Sequence, residues 1–542
     1  MGNFFSCHNQ HLQRSVSETP AKASSICWPQ PDQVAFLQIW HVTCEHIINL
    51  LKDSDWEIVT YPGGYARVSQ EREKMTIKVI NIDTPTLGDR SYIAHDGKTA
   101  LVVDPQRDID RVEKVLADNS LELGAVVETH MHNDYVSGGL VLARKYQAKY
   151  ITSAEDPVAF ERVAAHDLDE FSIGNFGVRA LHTPGHTFTH LSYVLVDGQD
   201  KPAGIFTGGS MLHGSTGRPD LLGPDNATKL AQLQHGSAHR IADLLEDFAP
   251  IFPTHGFGSF CAATSTSGDS SSIKDERKSN PALLLTVEQF VSETLAGLDA
   301  FPAYYKHMGP ANLAGPDAID LSELPRLSTD ELLKRIAGDN WVVDLRDKDV
   351  WAKSHLLGTM NFGVTGSFAT YLGWLFPYDK ELVLISNRAS DFSLAQRELV
   401  RIGIDRPAAS YLGEITDFSD LISTEVVEFK DVPQALTDSE IVVLDVRRNS
   451  EREASHIAGS QHIPLHELSD RMSELSKEKT YWVHCAGAYR ASIATSIVQN
   501  AGFKVVLINE SYDKALEVKG LVTTTGAIDH NPVAPSDIKA KK

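Results

Sequence analysis

Apolar residues recur along this chain in two rhythms. Val34, Leu37, Trp40, Cys44, Ile47 and Leu51 lie three or four apart, which predicts an amphipathic helix within residues 32–52. From Met75-Thr76-Ile77-Lys78-Val79-Ile80 onward, short apolar runs predict strands. Leu101-Val102-Val103-Asp104, Gly124-Ala125-Val126-Val127-Glu128-Thr129, Val178 to Leu181 and Ala249 to Phe252 each run into a polar turn, and Ile109 to Ala117 reads as a helix. Strands alternating with helices, with polar residues at strand ends, indicate an α/β protein. Residues 1–30 are polar and Ser-rich, predicting disorder. Residues 262–274, rich in Ser, Thr and Gly, predict a loop, and the Pro- and Gly-bearing stretch 303–325 predicts a linker.

The C-terminal part repeats itself. Val343-Asp344-Leu345-Arg346 recurs as Leu444-Asp445-Val446-Arg447, and His355-Leu356-Leu357-Gly358 as His456-Ile457-Ala458-Gly459, about 100 residues downstream in each case. Two related α/β domains fit that spacing.

Composition narrows the class. A net charge of −22 repels phosphate backbones and argues against nucleic-acid binding. No apolar run reaches the length of a membrane span. The 5 cysteines (Cys7, Cys27, Cys44, Cys261, Cys485) are scattered and odd in number, which suits a reducing, cytoplasmic setting. Met1-Gly2-Asn3-Phe4-Phe5-Ser6 fits an N-myristoylation pattern with Cys7 beside it, but so short a pattern is common by chance, and an unmodified tail is the preferred reading.

The candidate chemistry lies in three histidine turns, each following an apolar strand: Thr129-His130-Met131-His132-Asn133-Asp134, His182-Thr183-Pro184-Gly185-His186 and Pro253-Thr254-His255-Gly256. Convergent imidazoles at strand ends are what a divalent metal requires. These turns, with Phe206-Thr207-Gly208, resemble the metallo-β-lactamase superfamily. The stretches HMHNDYVSGG, GRPDLLG and HGFGSFC are similar to its persulfide dioxygenase branch, in bacterial-type fusions with rhodanese domains. The resemblance spans about residues 76–525 and implies an αββα sandwich followed by two rhodanese-like α/β domains. The expected boundaries are an N-terminal extension 1–74, a metal domain 75–305, a linker 306–325, repeats 326–424 and 425–526, and a tail 527–542.

Two positions depart from the family pattern. Tyr135 stands where the dinuclear hydrolases have a histidine, which disfavours a two-zinc thioesterase. Gly209 stands where persulfide dioxygenases place the aspartate that joins two histidines (here His130 and His186) on one iron. The expectation is therefore one Fe(II) per chain, with zinc as the other candidate, on His130, His132 and His186. Asp134 and His255 are expected as neighbours, and Arg218 and Cys261 as contacts to an anionic thiol.

The run Thr480-Tyr481-Trp482-Val483-His484 leads into Cys485-Ala486-Gly487-Ala488-Tyr489-Arg490 and then a helix. A thiol at the N-terminus of a helix sits among backbone N–H groups that favour its anion, and Arg490 adds positive charge. This matches the rhodanese active loop, making Cys485 the sulfur carrier. In the first repeat Ser386 takes the cysteine's position and Asp391 the arginine's, so that repeat is expected to be silent. The resemblance implies oxidation of a low-molecular-weight thiol persulfide, of the glutathione persulfide type, by O₂ to sulfite, coupled to sulfur transfer. Two alternatives stay open: a metal-dependent hydrolase of the glyoxalase II type, and a sulfurtransferase with a degenerate metal domain. A homo-oligomer is compatible with the sequence.

Overall fold

A computed structural model describes residues 77–526 apart from residue 267, together with three short strands nearer the N-terminus. Those strands, Ala35–Gln38, Trp56–Tyr61 and Tyr65–Gln70, form an antiparallel sheet within a unit of its own, Met1–Thr76. Ala35–Gln38 is thus extended where helical spacing was expected. The rest of that predicted helix, the N-terminal lipidation pattern, Cys7, Cys27, Cys44 and the tail lie outside the described residues.

In the second unit, two six-stranded sheets face each other. One runs in the order Lys78–Thr84, Asp89–His95, Thr99–Val103, Glu122–Val127, Lys149–Ser153 and Val163–Ala165. The other runs Glu170–Ile173, Phe176–His182, Leu191–Val196, Pro202–Gly208, Pro250–Pro253 and Ser271–Ser272. The strands read as unbroken apolar runs because both faces are buried. In Thr99–Val103, Leu101 and Val103 point into the space between the sheets, while Ala100 and Val102 face helices Asp110–Asp118 and Gly139–Tyr146. In Leu191–Val196, Tyr193 and Leu195 face inward, and Val194 and Val196 pack under helix Pro224–Leu244. The result is the expected αββα sandwich, with its histidine turns at the ends of the central strands.

Each repeat is a small parallel sheet. The first runs Met360–Asn361, Trp341–Asp344, Leu382–Ser386, Ala409–Leu412; the second runs Glu425–Val427, Lys504–Ile508, Thr480–His484, Ile441–Asp445, Gln461–His462. The stretch expected to be a linker instead contains helix Tyr305–Ala314, with Tyr305, Met308 and Asn312 buried. One apolar cluster joins Tyr135, Cys261 and Met308 to Phe368 and Leu399 of the first repeat and to Leu465 and Cys485 of the second. No helix among the described residues is long and apolar enough to cross a membrane.

Candidate metal centre and sulfur-transfer loop

Asp104 ends strand Thr99–Val103 in a left-handed backbone conformation, φ 50°, completely buried. Its carboxylate accepts the Thr129 N–H and Thr129 Oγ1–H, each at 2.7 Å, and the Thr254 hydroxyl. One side chain therefore holds the two turns that carry His130 and His255. Burial opposes its ionisation, but the His132 charge and these donors keep its carboxyl below the usual range.

The hydrogen bonds assign the imidazole tautomers. Thr129 Oγ1 donates to Asp104, so it accepts from His130 Nδ1 at 2.9 Å. His186 Nδ1 donates to the Arg218 carbonyl at 2.9 Å. His255 Nδ1 donates between Asp89 Oδ1 at 2.9 Å and Asp134 Oδ2 at 3.1 Å. All three rings thus present Nε2. His186 Nε2 is buried without a partner, and His255 Nε2 lies 3.3 Å from His130 Nε2. The ligand atoms of His130, His186 and His255 lie within 4.8 Å of one another. Without an ion the His255 Nε2–H can donate to His130 Nε2. A metal ion between the three nitrogens would take the place of that proton, and an Nδ1–H donated to a carbonyl or carboxylate is the usual support of a metal-bound imidazole. The residues fit a metal ion.

Charge is distributed unevenly over this cluster. Burial, with the His255 charge, lowers His186 to about 3. Burial would lower His255 too, but Asp134 and Asp89 carry it up to about 10. Asp134 is held below the usual carboxylate range because the His255 charge outweighs its burial.

His132 was expected among the ligands beside His130 and His186. Its Nε2 lies 3.3 Å from both Asp104 and Glu128 and 3.0 Å from the Tyr135 hydroxyl, Tyr135 stacks on its ring, and its Nδ1 is buried without a partner. Those carboxylates raise it to about 9 against the effect of burial. Tyr135 thus helps hold His132 against Asp104 and Glu128. His132 does belong to a second donor group with Asp134 and His255, also within 4.8 Å. A third group joins His132 to Asp104 and Glu128, and His182 ends its strand bonded to the Phe188 carbonyl, outside all three groups.

Gly209 has a steric role that the sequence reading missed. A Cβ there would lie 2.6 Å from His186 Cγ, and one at Gly217 would lie 2.6 Å from His186 Nδ1. Two glycines therefore seat the His186 ring, and the Gly209 N–H donates to His190 Nε2 at 3.0 Å. Arg218, expected to face a substrate, is buried and committed to Asp220 at 2.7 and 2.8 Å and to the Asp299 carbonyl at 2.7 Å. Cys261 is also buried. Burial and the nearby carboxylates push its thiol well up, so it behaves as a packed apolar side chain.

In the second repeat, Cys485 follows strand Thr480–His484, and its Sγ accepts the Ala491 N–H at 3.4 Å. The loop enters helix Tyr489–Asn500 through Ala488 at φ 64°. Arg490 makes a two-bond pair with Glu451 at 2.6 and 2.7 Å. In the first repeat, Ser386 donates to Asp391 at 2.6 Å, and Asp391 pairs with Arg388. The hydroxyl is occupied, and no sulfur nucleophile is present.

A family model for the metallo-beta-lactamase superfamily matches residues 87–238. The chain is 30% identical over 166 residues to the "Probable polyketide biosynthesis zinc-dependent hydrolase BaeB" of Bacillus velezensis, covering 30% of this chain and 69% of that protein. The chain belongs to the metallo-beta-lactamase superfamily. Within the superfamily it is 26% identical over 240 residues to "Persulfide dioxygenase ETHE1, mitochondrial" of Homo sapiens, covering 44% of this chain and 80% of that protein. The crystal structure of a metallo-beta-lactamase from Staphylococcus aureus subsp. aureus COL aligns with a TM-score of 0.56 at 27% identity, covering 62% of this chain and all (100%) of that one. Beyond the metal domain, a rhodanese-like domain model matches residues 428–517. The chain is a superfamily enzyme with a metal centre and an appended rhodanese-like domain.

Proposed function

We propose that the chain oxidises a low-molecular-weight thiol persulfide with O₂ and couples this to sulfur transfer at Cys485. The observation that carries the reading is the pairing, on one chain, of a buried cluster of convergent imidazoles with a thiol at the N-terminus of a helix. Tyr135 removes a second-metal ligand while His130, His186 and His255 converge. The likeness to the human persulfide dioxygenase supports the same reading.

In the transfer half, the Cys485 thiolate takes the sulfane sulfur of thiosulfate and sulfite leaves. The resulting persulfide passes its outer sulfur to a thiolate, R–S⁻, giving R–S–S⁻. In the oxidation half, R–S–S⁻, O₂ and H₂O give R–S⁻, SO₃²⁻ and two protons: the outer sulfur is oxidised and O₂ reduced. A single Fe(II) on the three imidazoles would supply open positions for the persulfide sulfur and O₂. The protein's part is to aim three Nε2 atoms into one buried site, through Thr129, the Arg218 carbonyl and the Asp89–Asp134 pair, with the ion displacing the proton that the two carboxylates favour on His255.

A second reading, zinc-dependent hydrolysis, draws on the 30% identity to the Bacillus velezensis hydrolase. Oxygen uptake and sulfite formation with glutathione persulfide, measured on iron-loaded and zinc-loaded protein, separate the two. The iron form is expected to consume O₂. Thioester cleavage by the zinc form, with no O₂ uptake by the iron form, would overturn the dioxygenase reading.

A further inference from the structure

A cleft of about 510 Å³ lies between the metal domain and the second repeat. None of its lining residues belongs to the histidine cluster, but three of them adjoin it. Gly256 follows His255 in the chain, the Ser259 hydroxyl is 3.5 Å from Asp134 Oδ2, and the carbonyl of Arg218 accepts from His186. At its other end the cleft is lined by Arg448 and Ser450, and Ser450 donates to Asp299 at 2.5 Å.

Arg448 also lines a second, much smaller cavity beside the Cys485 loop, together with Arg490, Trp374 and His466. At about 10 Å³ that cavity admits no more than a water-sized probe. The wall between the two spaces is made by all three domains. Arg448 of the second repeat lies over the Phe260 ring of the metal domain at 5.1 Å. Phe260 meets Trp374 of the first repeat edge-on at 5.2 Å, and Trp374 stacks on His466 at 4.8 Å.

We propose that this cleft binds the small anionic thiol carrier and passes it between the two reactive centres, with Arg448 as the cation that meets it at the shared wall. The assignment rests on the persulfide reading above and deepens it. Three arginines surround the route, and two are committed: Arg218 to Asp220 and Arg490 to Glu451, each through two bonds. Arg448 Nε lies 3.3 Å from Glu451 and 3.9 Å from Asp299, looser contacts than those of the other two arginines, and its side chain is 34% exposed. It is the guanidinium left to take a carboxylate or a persulfide anion. The cleft's size suits a peptide-sized ligand, and its Ser and Thr hydroxyls offer hydrogen bonds. The silent first repeat thereby gains a role, because Trp374 closes the wall that must open for transfer.

The test is calorimetric binding of S-methylglutathione, which cannot react, to the metal-loaded full-length protein. Arg448→Glu and Ser450→Trp should each weaken binding at least tenfold, with metal content unchanged, and Arg448→Lys should retain most of it. No binding by the wild type, or unchanged affinity in both weakened variants, overturns the proposal. Direct oxygen uptake with glutathione persulfide is measured in parallel. If it is absent while the binding losses appear, the dioxygenase reading fails and the cleft assignment stands.

Discussion

At the scale of single residues, the site is governed by side chains that touch no metal. The three histidine turns are legible in the sequence because each follows an apolar strand. How the histidines are aimed is not legible, because it depends on partners far along the chain: Asp104 and Glu128 take His132 Nε2 and leave its Nδ1 buried without a partner, and Asp89 with Asp134 aims His255 Nε2 inward. Gly209 is the sharpest case. Read as a missing ligand, it suggests that Gly209→Asp would strengthen iron binding. Read as the seat of the His186 ring, it predicts the reverse. Gly209→Ala and Gly209→Asp should both lower bound metal, measured by elemental analysis of anaerobically purified protein, because each Cβ displaces His186. Tighter iron binding in Gly209→Asp would restore the missing-ligand view. A second residue-scale expectation concerns Glu451. Burial raises its carboxyl, but the Arg490 bonds and charge outweigh burial and lower it to about 2. A depressed carboxylate contributes stability that is present above its unfolded pKa and lost as pH falls through the folded one. Glu451→Gln should therefore cost up to roughly 3.5 kcal/mol at pH 7, at about 1.4 kcal/mol per pKa unit. The gap to wild type should shrink steadily below about pH 4.5. Chemical denaturation of both proteins at pH 7 and pH 3 checks this, and an equal gap at both would remove the ion pair as its source.

At the scale of elements, strands and helices follow the apolar pattern closely, because burial on both faces leaves little ambiguity in runs such as Thr99–Val103. Residues 303–325 did not yield to the same reasoning. Their prolines and glycines suggest a linker, yet Tyr305–Ala314 is helical with Pro310 inside it. Tertiary contacts override the local preference: the Asn312 side chain donates to the His132 and Tyr135 carbonyls and accepts the Ser137 N–H, all at 2.8–2.9 Å. This helix braces the first histidine turn. Helix Ala389–Arg401 of the first repeat braces it from the other side, since the Arg401 carbonyl accepts the Val136 N–H at 2.7 Å. The Arg401 side chain is buried against Asp108 of the metal domain at 2.6 and 3.1 Å and against Glu398 at 2.8 Å. Removing one partner of a buried pair strands the other, typically at a cost of about 3–5 kcal/mol. Asp108, however, keeps Arg111 at 2.8 Å and Glu398 keeps the Thr86 hydroxyl at 2.6 Å. Arg401→Leu should therefore cost less than that, about 1.5–3 kcal/mol in denaturant titrations, and make the junction between metal domain and first repeat more susceptible to limited proteolysis. A change within about 0.5 kcal/mol, the level of an ordinary surface substitution, would mean that the pair does not hold the junction.

At the scale of the whole second unit, the domain order is legible because the repeat betrays itself in sequence. The shared apolar cluster is not, because it joins Tyr135 and Cys261 to Phe368, Leu465 and Cys485 across distant stretches of chain. An interface of that kind holds domains in register, so the metal centre and the cysteine loop are parts of one body that can be disabled one at a time. Cys485→Ser should abolish sulfur transfer from thiosulfate to cyanide, while keeping full metal content and direct oxidation of glutathione persulfide. His186→Ala should lose metal and oxidation while keeping transfer. An equimolar mixture of the two variants then contains both working centres, never on the same molecule. When oxygen uptake is driven by thiosulfate and glutathione, the carrier in the mixture must leave one molecule and find another. Its rate should fall well below that of wild type with matched numbers of working centres when glutathione is scarce. As glutathione rises to saturation and collisions between molecules cease to limit, the mixture should approach wild type. Equal rates at every glutathione concentration would show that the carrier exchanges freely with solvent, and that holding the two centres on one body gives no advantage in transfer.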